Sequence, residues 1–293
     1  MGLSHAGVAV VGATGFIGSA LMTELRVRGT SATGFTRQSL PLSSDGTPQP
    51  GLAESSTVVW AASSINPSSA ENAPERVRAD REALVRVLDA LSGSASTPRV
   101  VLVSSGGSVY DPQEPAPYCE DSGCRPVGAY GRAKLELEQL LLAQRPGSVV
   151  IRVANAYGPG QPAAPGQGVI GHWLRAVRDG RPLELFGSRA TARDYVFIDD
   201  IIAALMAIHE GTDLPDVLNI GSGRATTLAE LLDMVRAVAG PFDVVQHQRR
   251  GFDVERTWLD IERADKELDW RPAVELRSGV ARSWDWVSAD PAR

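Results

Sequence analysis

Val8-Ala9-Val10-Val11-Gly12-Ala13-Thr14-Gly15-Phe16-Ile17-Gly18 is the stretch that decides how the rest of the chain reads. A valine-rich apolar run passes straight into three glycines, and Ala20, Leu21 and Leu25 follow with a helical period. Strand, glycine turn and helix in that order make a phosphate cradle. The first glycine permits the tight turn, the second lets backbone approach a pyrophosphate, and the third lets the helix pack close on the strand, its N-terminus facing the anion. Gly12, Thr14, Gly15, Phe16, Ile17 and Gly18 are therefore expected to hold a dinucleotide.

Further along, apolar runs and helical patterns alternate. A strand over about Ser31 to Phe35 should end at the adenosine ribose, and the chain there reads Thr36-Arg37-Gln38-Ser39 without a carboxylate. An acid at this place accepts from the 2′-hydroxyl of NAD, whereas Arg37 suits a 2′-phosphate, so NADP is expected, with NAD the alternative. Thr57 to Ala62 is a buried strand whose small end residues, Ala61 and Ala62, let a cofactor lie against backbone. A helix over about Pro74 to Leu91 and a strand at Val100 to Val103 follow. That strand ends in Ser104-Ser105-Gly106-Gly107-Ser108-Val109-Tyr110, hydroxyls at the carboxyl end where parallel sheets bind ligands. Tyr130 and Lys134 come next, four residues apart. On a helix they lie one above the other, so the ammonium can hold the phenol near ionisation, a proton-transfer device.

Past a strand at Val149 to Val153 the composition turns to Pro, Gly and Ala. The pattern predicts an α/β protein: a Rossmann-type doubly wound parallel sheet over 1–155, with 195–220 returning to it, and a smaller substrate lobe from 156–194 and 221–293. Helices are predicted around Val169 to Val177 and from Ile201 to Ile208. Thr226-Thr227 before Leu228 and Glu230 marks another helix start.

Composition narrows the partners. The chain has 293 residues, 43% hydrophobic and 22% charged, with a formal net charge of -6. No basic stripe offers itself to nucleic acid or an anionic membrane. No apolar run reaches membrane-spanning length and the N-terminus lacks a signal-peptide pattern, so the cytoplasm is expected. Cys119 and Cys124 are too few for a disulfide framework and read as free thiols, and the four histidines show no ligand spacing, so no metal is expected.

With these residues assembled, the chain resembles the extended short-chain dehydrogenase/reductase superfamily, in its nucleotide-sugar epimerase, dehydratase and ketoreductase branch. The matches run in one order over most of the chain: the glycine turn, the Ser-Ser-Gly-Gly-Ser-Val-Tyr strand end, Tyr130 to Lys134, Asn155-Ala156-Tyr157-Gly158-Pro159-Gly160, Arg193-Asp194-Tyr195-Val196-Phe197-Ile198-Asp199-Asp200 and Asn219 to Gly223. The resemblance implies Tyr130 as acid/base and Lys134 as the residue that lowers its pKa and holds the nicotinamide ribose. It implies Asn155 at the sugar or a phosphate, and Arg193 and Arg250 at the diphosphate. Asp80 stands where many relatives have Asn and is given no catalytic role. Gly106 departs from the pattern, because many relatives place the catalytic hydroxyl there. The hydroxyl must then come from Ser108 or Ser105; in an extended segment Ser108 shares a face with position 106 and is favoured.

The implied activity is NADPH-dependent reduction of a nucleotide-linked 4-keto-6-deoxyhexose, favoured by Arg37 and by Gly106-Gly107 where dehydratase relatives carry an acidic pair. The alternative is a UDP-glucose 4-epimerase-like enzyme with tightly bound NAD, and a third reading is a non-catalytic dinucleotide sensor. Relatives often form a homodimer through a four-helix bundle, for which Val85, Leu88, Leu137 and Leu141 would serve; these could equally be core.

Overall fold

A computed structural model describes residues 7–93, 97–163, 168–248 and 255–289 of the chain. The quoted stretch becomes β1 (Val8–Val11), a tight turn and α1 (Phe16–Val27). Alternation continues through β2 (Ala32–Phe35), α2 (Pro50–Ala53), β3 (Thr57–Trp60), α3 (Pro74–Ser92), β4 (Arg99–Ser105), α4 (Ala129–Gln144) and β5 (Val149–Val153). Beyond β5 come β6 (Asn155–Tyr157), α5 (Val169–Arg178), β7 (Leu183–Phe186), β8 (Ala192–Arg193), β9 (Tyr195–Phe197), α6 (Ile198–Glu210) and β10 (Val217–Ile220). The chain closes with β11 (Thr226–Thr227), α7 (Leu228–Ala239), β12 (Val244–His247), β13 (Arg256–Thr257), α8 (Glu262–Leu268) and α9 (Leu276–Ser288).

Six strands pair in parallel in the order β10-β5-β4-β3-β1-β2. From β1 the chain crosses to β2 on one side and returns for β3 on the other, so the connections diverge between β1 and β3. Such a switch point leaves a crevice at the carboxyl ends of the strands, the place where this architecture takes ligands. Successive strand residues feed opposite layers. Val8 and Val10 join the core of α1 and α6 with Leu21, Leu25, Ile201 and Leu205. Ala9 and Val11 join that of α3 and α4 with Leu84, Leu88, Leu137 and Leu141. Burial on both faces is why these strands read as continuous apolar runs. Leu88, Leu137 and Leu141 are buried within the chain itself, hence core.

Local chemistry fixes the helix starts that frame the site. Thr227 Oγ1 accepts the Glu230 N–H at 3.2 Å while the Glu230 carboxylate accepts the Thr227 N–H at 2.7 Å, the expected capping box. Helix α6 begins at Ile198 rather than Ile201, which brings Asp199 and Asp200 into its first turn, where carboxylates meet the positive end of the helix dipole. Asp200 also accepts the N–H groups of Ala273 and Val274 at 2.9 and 3.2 Å, tying the C-terminal segment down. Among the described residues no helix is long and apolar enough to cross a membrane.

Candidate active site

The glycine turn is shaped by the protein at two positions and left open at the third. Gly12 has φ +93°, and a Cβ there would lie 2.7 Å from the Ala62 nitrogen, so Ala61 and Ala62 at the end of β3 can approach only a glycine. A Cβ at Gly18 would stand 2.2 Å from the Gly12 carbonyl oxygen, which is the close helix-on-turn packing expected. At Gly15 φ is negative and a Cβ would meet only the Gly12 oxygen, at 3.2 Å. The open space lies before the start of α1, which carries no side-chain cap. Exposed Thr14 and half-buried Phe16 and Ile17 flank it. This cradle fits a pyrophosphate. Gly12 and Ala13 donate to the Phe35 carbonyl at 2.9 and 3.0 Å, joining the turn to the end of β2. Arg37 follows two residues later, exposed and with no hydrogen bond or ion pair to any described residue.

Helix α4 carries Tyr130 half-buried and Lys134 buried. The Lys134 Nζ lies 5.7 Å from the Tyr130 ring centroid and donates to the Val103 carbonyl at 3.2 Å, anchoring the ammonium to the end of β4. Tyr130 and Ser108 line one open cleft of about 520 Å³ together with Gly106, Gly107, Tyr118 and Thr257. The helix reaches that strand end because of Gly131, where a Cβ would come within 2.1 Å of the Ser108 carbonyl oxygen.

The segment after β4 is a turn rather than the extended strand expected, closed by the Ser108 N–H donating to the Ser105 carbonyl at 3.2 Å. Ser108 thus reaches the cleft by chain reversal, not by alternation of faces. Ser105 stands behind it, its Oγ donating to the Ser108 Oγ at 3.2 Å. At Gly106 a Cβ would meet Leu259 Cδ1 at 2.6 Å and the Arg152 carbonyl at 3.0 Å. A leucine methyl fills the volume that a hydroxyl-bearing side chain would need.

Asn155 donates from Nδ2 to the Asp194 carbonyl at 2.8 Å and lies 3.9 Å from the Cβ position of Gly107, so it borders the same strand end. Arg193 is half-buried and donates to the carbonyls of Ala192 and Glu255 at 2.9 and 3.2 Å. Arg250 lies outside the described residues. Beside Arg193, Asp194 is 1% exposed and accepts from the Ser222 N–H and hydroxyl at 2.7 and 2.6 Å and from the Leu259 N–H at 3.2 Å. Burial pushes its carboxyl above the ordinary range against these hydrogen bonds. Asp194 thereby clasps the end of β10 to the segment after β13. Thr257 lines the cleft and is 4% exposed, and its buried hydroxyl has no hydrogen-bond partner among the described residues. Gly131, Asp194 and Thr257 escaped sequence reasoning. Asp194 sits in the same motif as Arg193, whereas nothing local marks Thr257. Among the described residues no group of three or more His, Cys, Asp or Glu could hold a metal ion. Cys119 and Cys124 are half-buried free thiols.

A sequence model of the NAD dependent epimerase/dehydratase family matches residues 8–221. The chain is similar to a dTDP-4-dehydro-6-deoxyglucose reductase of Escherichia coli, 34% identical over 62% of this chain and 59% of that protein. It is equally similar to a UDP-glucose 4-epimerase of Mycolicibacterium smegmatis, 34% identical over 64% of this chain and 62% of that protein. The matched stretch thus spans about three fifths of these relatives' length. The structure of MoeE5 in complex with UDP-glucose and NAD superposes with a TM-score of 0.84 at 31% identity, covering 96% of this chain and 98% of that one.

Proposed function

The chain belongs to the NAD dependent epimerase/dehydratase family, and on that premise we propose that it is an oxidoreductase reducing a 4-keto-6-deoxyhexose carried on a nucleoside diphosphate. The observation that carries this reading is the meeting of Tyr130 and Ser108 on one cleft, with Lys134 against the Tyr130 ring. Gly12, Thr14, Gly15, Phe16, Ile17 and Gly18 would hold the dinucleotide at its pyrophosphate, and Ala61 and Ala62 along its length. Arg37, without a competing carboxylate, would bind the 2′-phosphate of NADP; NAD, present in the MoeE5 structure, is the alternative. When bound, the nicotinamide supplies the hydride for the keto carbon.

The chain's own residues move the proton. Ser108 accepts from Ser105, which leaves the Ser108 hydroxyl proton to donate to the substrate's carbonyl oxygen. Tyr130 transfers its phenolic proton to that oxygen as the alcohol forms, and Lys134 stabilises the phenolate left behind. Asn155 is assigned to the sugar or a phosphate, and Arg193 and Arg250, in a lobe formed by 156–194 and 221–293, to the diphosphate.

Purified protein given NADPH and a dTDP-4-keto-6-deoxyhexose should consume NADPH. Tyr130→Phe should abolish turnover and keep dinucleotide binding, and unchanged turnover in that variant sinks the proton path. Similarity to the M. smegmatis enzyme supports 4-epimerisation as a second reading. Interconversion of UDP-glucose and UDP-galactose without added nicotinamide would establish it and overturn the reductase.

A further inference from the structure

Helix α4 is held by a buried ion pair for which the proposed chemistry has no use. Glu138 on α4 and Arg152 on β5 are 2% and 5% exposed. Arg152 donates to Glu138 Oε2 from Nε at 3.1 Å and from Nη2 at 2.8 Å, and the other carboxylate oxygen accepts the Ser104 hydroxyl of β4. Arg152 further donates to the Glu120 carbonyl at 3.3 Å and lies 4.8 Å over the Tyr110 ring. Burying two charges costs more desolvation than most pairs recover, so an apolar pair would hold the helix as well.

One turn earlier on the same helix, Lys134 grips Val103, the residue before Ser104. Lys134 and Glu138 are therefore neighbours at i and i+4 on one buried face, with Cβ atoms about 5–6 Å apart. At such depth salt screens their charges little. The charges run cation, anion, cation: Lys134, Glu138, Arg152.

We propose that the Glu138–Arg152 pair is a positioning device for the proton carrier: Arg152 holds the Glu138 carboxylate, so that the Lys134 ammonium faces the Tyr130 phenol undivided. This rests on the reading of Tyr130 and Lys134 as the proton device. The remaining charges around Tyr130 are exposed or otherwise engaged. Glu71, in the short helical turn Ala70–Asn72, accepts the Ala129 N–H at 2.6 Å and stands 3.8 Å from Arg132 of α4. Asp80 of α3 accepts the Ser64 N–H at 2.8 Å. Beside the pair, burial pushes the Cys124 thiol up, so that it adds no charge.

The test is a titration of Tyr130 by tyrosinate absorbance, each protein minus its Y130F counterpart, which needs neither substrate nor cofactor. E138Q keeps the side chain's shape and removes the anion, so the midpoint should fall by about one pH unit. R152M frees the carboxylate to engage Lys134, so the midpoint should rise by about one unit, and E138Q/R152M should return to within about half a unit of the parent. A pair that only braces the fold would lower the melting temperature of the single variants without moving the midpoints in opposite directions. That result overturns the proposal. If R152M does not fold, E138Q and the double variant decide: an unmoved E138Q midpoint also overturns it. Midpoints that shift as stated in a protein turning over no nucleotide sugar would refute the functional reading instead.

Discussion

Gly106→Ser places a hydroxyl where the family resemblance leads one to expect it, and the structure says that it should harm this protein. The new Cβ would stand 2.6 and 2.9 Å from the two Leu259 methyls and 3.0 Å from the Arg152 carbonyl oxygen. Leu259 is fully buried and its N–H donates to Asp194 at 3.2 Å, while the Arg152 carbonyl belongs to β5, which is paired on both sides, so neither neighbour can retreat freely. Overpacking of this kind costs about 1–3 kcal/mol, and we expect G106S to lose about 2 kcal/mol of unfolding free energy. Leu259→Ala alone should lose about 2–5 kcal/mol to the cavity it leaves. In G106S/L259A the hydroxymethyl enters that cavity, so the combined loss should fall short of the sum by about 1 kcal/mol or more. Urea unfolding of the four proteins reads these numbers, and turnover on the same preparations reads the chemistry. A G106S protein with the parent's midpoint, or one that restores turnover to S108A, would refute the argument that Leu259 has displaced the hydroxyl to Ser108.

Ser108→Ala should lower kcat about a hundredfold, as loss of one donor to a developing oxyanion does, and Ser105→Ala less, because it acts through Ser108; equal losses would remove that ordering. Arg37→Ser should cut the NADPH over NADH preference in kcat/KM by about tenfold or more, and an unchanged ratio would show that Arg37 reads no 2′-phosphate. Burial pushes the Glu120 carboxyl above its ordinary 4.5 although it accepts the Asn219 N–H at 2.8 Å. A folded-state pKa raised above the unfolded value means that the native state binds the proton more tightly, so this contribution is full below the ordinary value and is lost as pH rises through the raised one. Glu120→Gln should therefore gain on the parent in unfolding free energy as pH rises above the ordinary glutamate value, and a flat difference would contradict the raised pKa.

Much of this protein is legible one segment at a time. Val8 to Val11 with Gly12 to Gly18 specifies strand, turn and helix because backbone conformation and the 3.6-residue period are local properties. Tyr130 and Lys134 share a helical face by their spacing, and Thr227 with Glu230 writes its own capping box. Even the absence of acid beside Arg37 is a statement about neighbouring letters.

What only the tertiary structure decided lies between segments far apart. Ser108 faces the cleft because the chain reverses after β4, and Gly106 is glycine because Leu259, more than 150 positions later, occupies its side-chain volume. Glu138 meets Arg152, Asp194 clasps Ser222 to Leu259, and Thr257 of β13 reaches the cleft that Ser108 lines only through tertiary packing. Periodicity tells a residue which face it shares with its neighbours. Close packing, which admits one side chain per volume, decides what stands opposite.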